Sequence, residues 1–138
     1  MAAGGRGGNT GPVAIELNHT IVPARDGELS ARWFAELFGV AEPVRFAVFW
    51  QVTTDNGVDL DFDTHGDDEF TTGHYAFLVD DAEFDAIFGH IGRLGIPYWA
   101  DPARQQAGRI NHHDGGRGVY FPSPDDHLFE IITRPYGG

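Results

Sequence analysis

Close to the end of the chain, the stretch HLFEII (residues 127–132) places an acidic residue, Glu130, inside an apolar run. A carboxylate buried there without a partner costs on the order of several kcal/mol, so it must be protonated, paired or bound to a metal. Two histidines occupy comparable strand-like runs, His19 in IELNHTIV and His74 in GHYAFLVDD. Two imidazoles and one carboxylate on a single centre leave positions open for substrate and for oxygen or water, the ligand set expected of Fe(II), Mn(II) or a similar ion. With no sulfur in the set, nothing singles out zinc. The competing arrangement has both histidines hydrogen-bonded within a sheet and Glu130 paired with an arginine such as Arg109 or Arg117.

These residues need elements to carry them. Residues 13–22 are rich in β-branched side chains and alternate as a strand, with Leu17, His19 and Ile21 on one face. Pro23 and the polar residues after it end that strand, and Asp26 is placed to cap a helix. Leu29, Trp33, Phe34, Leu37 and Phe38 recur at three and four residue steps, and Gly39 closes the helix in a left-handed conformation. Residues 44–54 and 58–62 then read as strands joined through the Asp55-Asn56-Gly57 turn, so that two or three strands follow the helix. The polar stretch 65–70 is a connector.

The order of elements now repeats. A strand from His74 to Val79 leads to Asp80 or Asp81 as cap, and to a helix with Phe84, Ile87, Phe88, Ile91 and Leu94 at helical spacing, ended by Gly95. Residues 96–113 contain a short strand and a loop. GVYFPS and HLFEIIT give two further strands around the Pro124-Asp125-Asp126 turn. Laid over one another, LDFDT (60–64) matches FEIIT (129–133), with Thr64 on Thr133 and Asp61 on Glu130. The fold class is therefore α+β, with two βαβββ modules at 13–64 and 73–134 making one domain over 13–134.

At this point the sequence resembles the vicinal oxygen chelate superfamily, which includes glyoxalase I, fosfomycin-modifying enzymes, type I extradiol dioxygenases and bleomycin-binding resistance proteins. The resemblance covers roughly 13–134. It implies that the two modules curl into a half-open mixed-sheet barrel and that metal ligands come from their first and last strands. Those positions fall on His19, His74 and Glu130, and Asp61 takes the place of a fourth ligand that glyoxalases use. The stretch INHHDGGRGVYFPSPDDHLFE is similar to the extradiol dioxygenase signature, with His113, Val119, Tyr120, Pro124 and Glu130 in that order; Ser123 and Asp126 depart from it in the turn. Beside a metal, His113 would serve as acid or base and Tyr120 would donate to a substrate oxygen. The resemblance thus implies a metal-dependent enzyme acting on a small substrate chelated through vicinal oxygens, extradiol-dioxygenase-like first. A glyoxalase-like isomerase that recruits Asp61, and a metal-free drug-binding resistance protein, are the alternatives. Fe(II) is favoured as cofactor, with Mn(II), Ni(II) and Zn(II) behind it, and a homodimer is expected.

Other residues have plainer readings. On a strand His112 and His113 would point to opposite faces, so at most one can face the site. His127 suits turn capping better than ligation, and His65 and His90 read as exposed. Trp50, Tyr98 and Trp99 are core or pocket aromatics. Asp59, Asp61 and Asp63 alternate with apolar residues, as on a strand with one wet face.

Composition bounds the rest. The 138 residues are 41% hydrophobic and 13% aromatic, enough for a core. Nine Lys plus Arg against 21 Asp plus Glu give −12, which disfavours nucleic acid and acidic membrane surfaces as partners. The absence of cysteine excludes disulfides and thiolate chemistry. Residues 1–12 read as a flexible Gly-rich tail without the apolar segment of a signal peptide, and no run approaches the roughly 20 apolar residues of a membrane span. A cytoplasmic location is the resulting expectation, beside the small-molecule substrate that the resemblance implies.

Overall fold

The computed structural model describes residues 14–136. The expected Gly-rich tail at 1–12, and Val13 after it, lie outside the described residues. The chain divides between Thr71 and Thr72 into two compact units.

The first unit runs β1 (His19–Ala24), α1 (Gly27–Phe38), β2 (Val44–Phe46), β3 (Phe49–Thr53) and β4 (Asp59–Thr64). These strands form one sheet in the order β1-β4-β3-β2, with β1 parallel to β4 and the other pairs antiparallel. The first strand was expected at 13–22, yet it starts later and runs through Pro23. Residues 14–18 are exposed, and the pairing of β1 with β4 begins at His19 opposite Asp59. Pro23 is tolerated because β1 is an edge strand, where a missing N–H breaks no ladder. The stretch read as strand at 44–54 is two strands, parted by a turn at Ala47 with φ 52°.

Asp26 caps α1 by accepting from the Leu29 N–H at 3.1 Å, and Gly39 ends it at φ 70°. The helix buries Ala31, Phe34, Ala35 and Leu37, while Leu29, expected on that face, is 55% exposed. Phe34 packs on Phe62 of β4. At Gly27 the helix start comes so near the sheet that an added Cβ would lie 2.9 Å from Thr64 Oγ1 and 3.1 Å from the Phe62 carbonyl oxygen.

The second unit runs β5 (His74–Leu78), α2 (Asp81–Arg93), a 3-10 turn (His113–Gly115), β6 (Gly118–Pro122) and β7 (Leu128–Ile132). Its sheet has the order β5-β7-β6, with β5 parallel and β6 antiparallel to β7. Asp80 and Glu83 form a reciprocal capping box at the start of α2. Phe84, Ile87 and Ile91 are buried, but Leu94 is 47% exposed. The short strand expected within 96–113 is reduced to isolated bridges of Trp99 with Tyr120 and with Ala107. Pro97 and Pro102 flank this stretch and supply no N–H to extend a ladder. In the β6–β7 turn Asp126 has φ 64°, a left-handed conformation that Asp tolerates.

The registers reproduce the repeat. Asp61 sits opposite Ile21 and Gln51, and Glu130 sits opposite Ala76 and Tyr120. His19 and His74 each lie two residues before the partner on the first strand, so each shares a sheet face with its unit's carboxylate. The opposite faces carry Leu60 and Phe62 in one unit and Phe129 and Ile131 in the other, all buried. Among the described residues no helix is long and apolar enough to cross a membrane.

Candidate functional site

Alternation in β7 sends Phe129 and Ile131 into the core and turns Glu130 to the other face, where it is nevertheless fully buried. His74, at the start of β5, places Nε2 3.0 Å from Glu130 Oε1. Its Nδ1 lies 3.0 Å from the Leu128 carbonyl, which can only accept, so Nδ1 carries the hydrogen. Nε2 is thereby turned to the carboxylate.

The other carboxylate oxygen, Oε2, accepts a 2.6 Å hydrogen bond from the Tyr136 hydroxyl. Tyr136 O–H in turn lies 3.2 Å from Tyr120 O–H. Because Tyr136 gives its only hydrogen to Glu130, Tyr120 donates to Tyr136, and the donation runs one way toward the carboxylate. Burial, then the Tyr136 hydrogen bond and the nearby Glu130 charge, push the Tyr120 phenol well above its ordinary value. The hydrogen bond to Glu130 does the same for Tyr136. Both phenols therefore stay protonated at any ordinary working pH. The rings of His74 and Tyr120 stack with centroids 6.0 Å apart, and the His113 ring stands edge-on to Tyr136 at 6.4 Å.

The structure thus brings His74, Glu130 and Tyr120 together and puts His113 at their margin. His19 is carried by the other unit, on the exposed face of β1, with Nδ1 2.8 Å from Asn18 Oδ1. Asp61 is also in the first unit, buried, and accepts from Gln51 Nε2 at 2.9 Å. Among the described residues no group of three or more His, Cys, Asp or Glu side chains is gathered so as to hold a metal. The pair in the second unit offers an imidazole nitrogen and a carboxylate oxygen 3.0 Å apart, donors of the kind that would hold a divalent ion. The Leu128 carbonyl on Nδ1 is the outer support that ligating histidines usually have.

Tyr136 escaped the sequence reading because RPYGG follows the last strand and falls past the expected domain end at 134. Neither arginine proposed for Glu130 pairs with it: Arg117 binds Asp85 at 2.8 Å and Asp81 at 3.1 Å across α2. His112 and His113 are not on a strand, since a 3-10 turn begins at His113, so the opposite-face argument does not apply; both are exposed. His127 is buried and its Nδ1 accepts from the Gly73 N–H at 2.9 Å, a bond across to the residue before β5 rather than the cap of its own turn that was expected. His65 and His90 are half-buried rather than exposed, His65 lying 3.4 Å from Asp63. Trp50 lies under Arg32 and Arg45 in one unit, while Tyr98 packs on Phe88 and Trp99 under Arg104 in the other.

Comparison with known proteins agrees with this architecture. The chain belongs to the vicinal oxygen chelate superfamily. It is 54% identical to the solved structure of the oxidase ChaP-H1, with a TM-score of 0.87 over 91% of this chain and 100% of that one. It is 47% identical to the oxidase ChaP-H2, with the same TM-score, over 91% and 98% of the two chains. A glyoxalase/dioxygenase from Nostoc punctiforme shares the fold at 22% identity and a TM-score of 0.62, over 93% of this chain and all of that one. Among curated proteins, the fosfomycin resistance protein FosX of Mesorhizobium japonicum is 35% identical over 65 residues, 47% of this chain; the match spans only 42% of FosX. No family model matches the chain.

Proposed function

We propose that the protein is a metal-dependent oxidase acting on a small molecule that presents two vicinal oxygens, with an extradiol-type oxygenation of a dihydroxyaromatic ring as the leading reaction. The observation that carries this reading is the pair His74 Nε2 and Glu130 Oε1 at 3.0 Å, with the imidazole oriented by a backbone carbonyl. The extensive likeness to two oxidases supports the oxidative class. His74 and Glu130 would be two protein ligands and His19 the third; Fe(II) is the favoured ion, ahead of Mn(II), Ni(II) and Zn(II). When bound, such an ion supplies Lewis acidity and a meeting point for substrate and oxygen.

The chain's own groups do the remaining work. Tyr120, kept protonated, is a hydrogen-bond donor to a substrate oxygen once its hydroxyl is released from Tyr136. His113, exposed beside Tyr136, is the acid or base that reaches solvent. The glyoxalase-like alternative would recruit Asp61, which accepts from Gln51 Nε2 and, among the described residues, has no histidine on it. A homodimer and a cytoplasmic location complete the proposal.

The test is metal analysis of the purified protein together with oxygen uptake on catechols and larger dihydroxyaromatics. Stoichiometric iron or manganese and oxygen consumption, both lost in Glu130→Ala, are expected. A metal-free protein that binds a cationic aromatic drug without turnover would overturn the reading in favour of a resistance protein. The FosX match motivates a fosfomycin arm, and turnover there with none on dihydroxyaromatics would move the reading to that class.

A further inference from the structure

Glu130 has two oxygens, and the structure treats them differently. Oε1 faces His74 Nε2 at 3.0 Å, whereas Oε2 is taken by the Tyr136 hydroxyl at 2.6 Å. Tyr136 does not reach that point by accident of a loose end. The chain beyond β7 is pinned at its base, where Thr133 N–H donates to the Arg117 carbonyl at 2.9 Å and Thr133 Oγ1 accepts from the Arg117 N–H at 2.8 Å. Gly116 leaves the room for this, since a Cβ there would stand 2.7 Å from Thr133 Oγ1 and 3.1 Å from Arg134 Cβ. Pro135 then fixes the backbone just before Tyr136. Tyr120 and the edge of His113 close on the phenol from the strand and from the 3-10 turn.

Building on the metal-site reading above, we propose that Tyr136 is a positioning residue that holds Glu130 as a one-oxygen ligand. By occupying Oε2, it prevents the carboxylate from swinging to chelate with both oxygens and aims Oε1 into the position beside His74. An open coordination position is thereby kept for the substrate. The phenol donates to Oε2, so it withdraws charge from that oxygen and leaves Oε1 as the stronger donor. Tyr136 never touches the ion; its effect passes entirely through Glu130.

The experiment is titration of the metal-free full chain with Co(II), followed by calorimetry and by the visible absorption of the bound ion, for the unsubstituted protein, Tyr136→Phe and Tyr120→Phe. Tyr136→Phe removes a single oxygen from a side chain that is 44% exposed, and circular dichroism should show an unchanged fold. Its Co(II) affinity is expected to fall about tenfold or more, with a changed visible spectrum as the carboxylate rotates. Tyr120→Phe, which leaves the Tyr136 to Glu130 bond in place, should bind Co(II) within about threefold of the unsubstituted chain. Unaltered or tighter binding with an unaltered spectrum in Tyr136→Phe overturns the positioning role while leaving the metal site standing. Failure of the unsubstituted chain to bind Co(II) overturns the metal reading, and this role with it.

Discussion

The two units carry a buried carboxylate at the same place in their sheets and surround it with different chemistry. Asp61 and Glu130 both stand on the last strand, opposite the third residue of the first strand. In the first unit the neighbour across the sheet is Gln51, an amide that satisfies Asp61 at 2.9 Å and has no proton to trade. In the second unit that neighbour is Tyr120, and the longer Glu130 side chain reaches His74 on one side and Tyr136 on the other. The hairpins differ as well: only Ala47 and Val48 part β2 from β3, whereas residues 100–117 intervene between the Trp99 bridge and β6 and carry His112 and His113. A repeated scaffold therefore fixes where a carboxylate stands, and one methylene plus the cross-strand residue decides what it can do.

The comparison can be broken most sharply at the carboxylates themselves. Glu130→Ala should abolish metal binding, whereas Asp61→Asn should leave the metal content of the purified protein unchanged. Equal loss from both would make Asp61 a fourth ligand and restore the isomerase alternative. Next in size are the matched core aromatics. Phe62→Ala and Phe129→Ala should each cost about 3–5 kcal/mol in chemical denaturation, because both side chains are almost wholly buried beneath the chemical face of their sheet.

A smaller effect separates Gln51 from Tyr120. The Tyr120 phenol is raised above its ordinary 10.0 in the folded state, so above that pH the unfolded chain loses its proton first. Its contribution to stability is present below pH 10 and declines as the pH rises further. Tyr120→Phe should flatten the fall of the denaturation midpoint above pH 10, with Tyr75 and Tyr136, also raised, leaving a residual slope. Gln51→Leu should not change that slope. The smallest effect compares the helix caps: Asp26→Ala and Asp80→Ala should each cost about 1 kcal/mol in thermal or chemical unfolding. The Asp80 loss should be the larger, because Glu83 completes the box only there.

What could be read from the sequence were the properties set locally. Helical spacing, Asp caps and closing glycines outlined both helices, and the Asp61 to Glu130 alignment anticipated their equivalent registers. The need of Glu130 for a partner followed from one charge among apolar residues. The 44–54 stretch turns back on itself at Ala47 and pairs with itself, which its apolar run does not announce, and the strand expected within 96–113 finds only isolated bridges, which alternation cannot foresee. Only the tertiary structure decided which partners meet. It chose His74 over Arg117 for Glu130, because α2 draws the guanidinium to Asp81 and Asp85. It also brought Tyr136 back onto Oε2, a contact made by the path of the chain after β7, with no periodicity or spacing of its own to announce it.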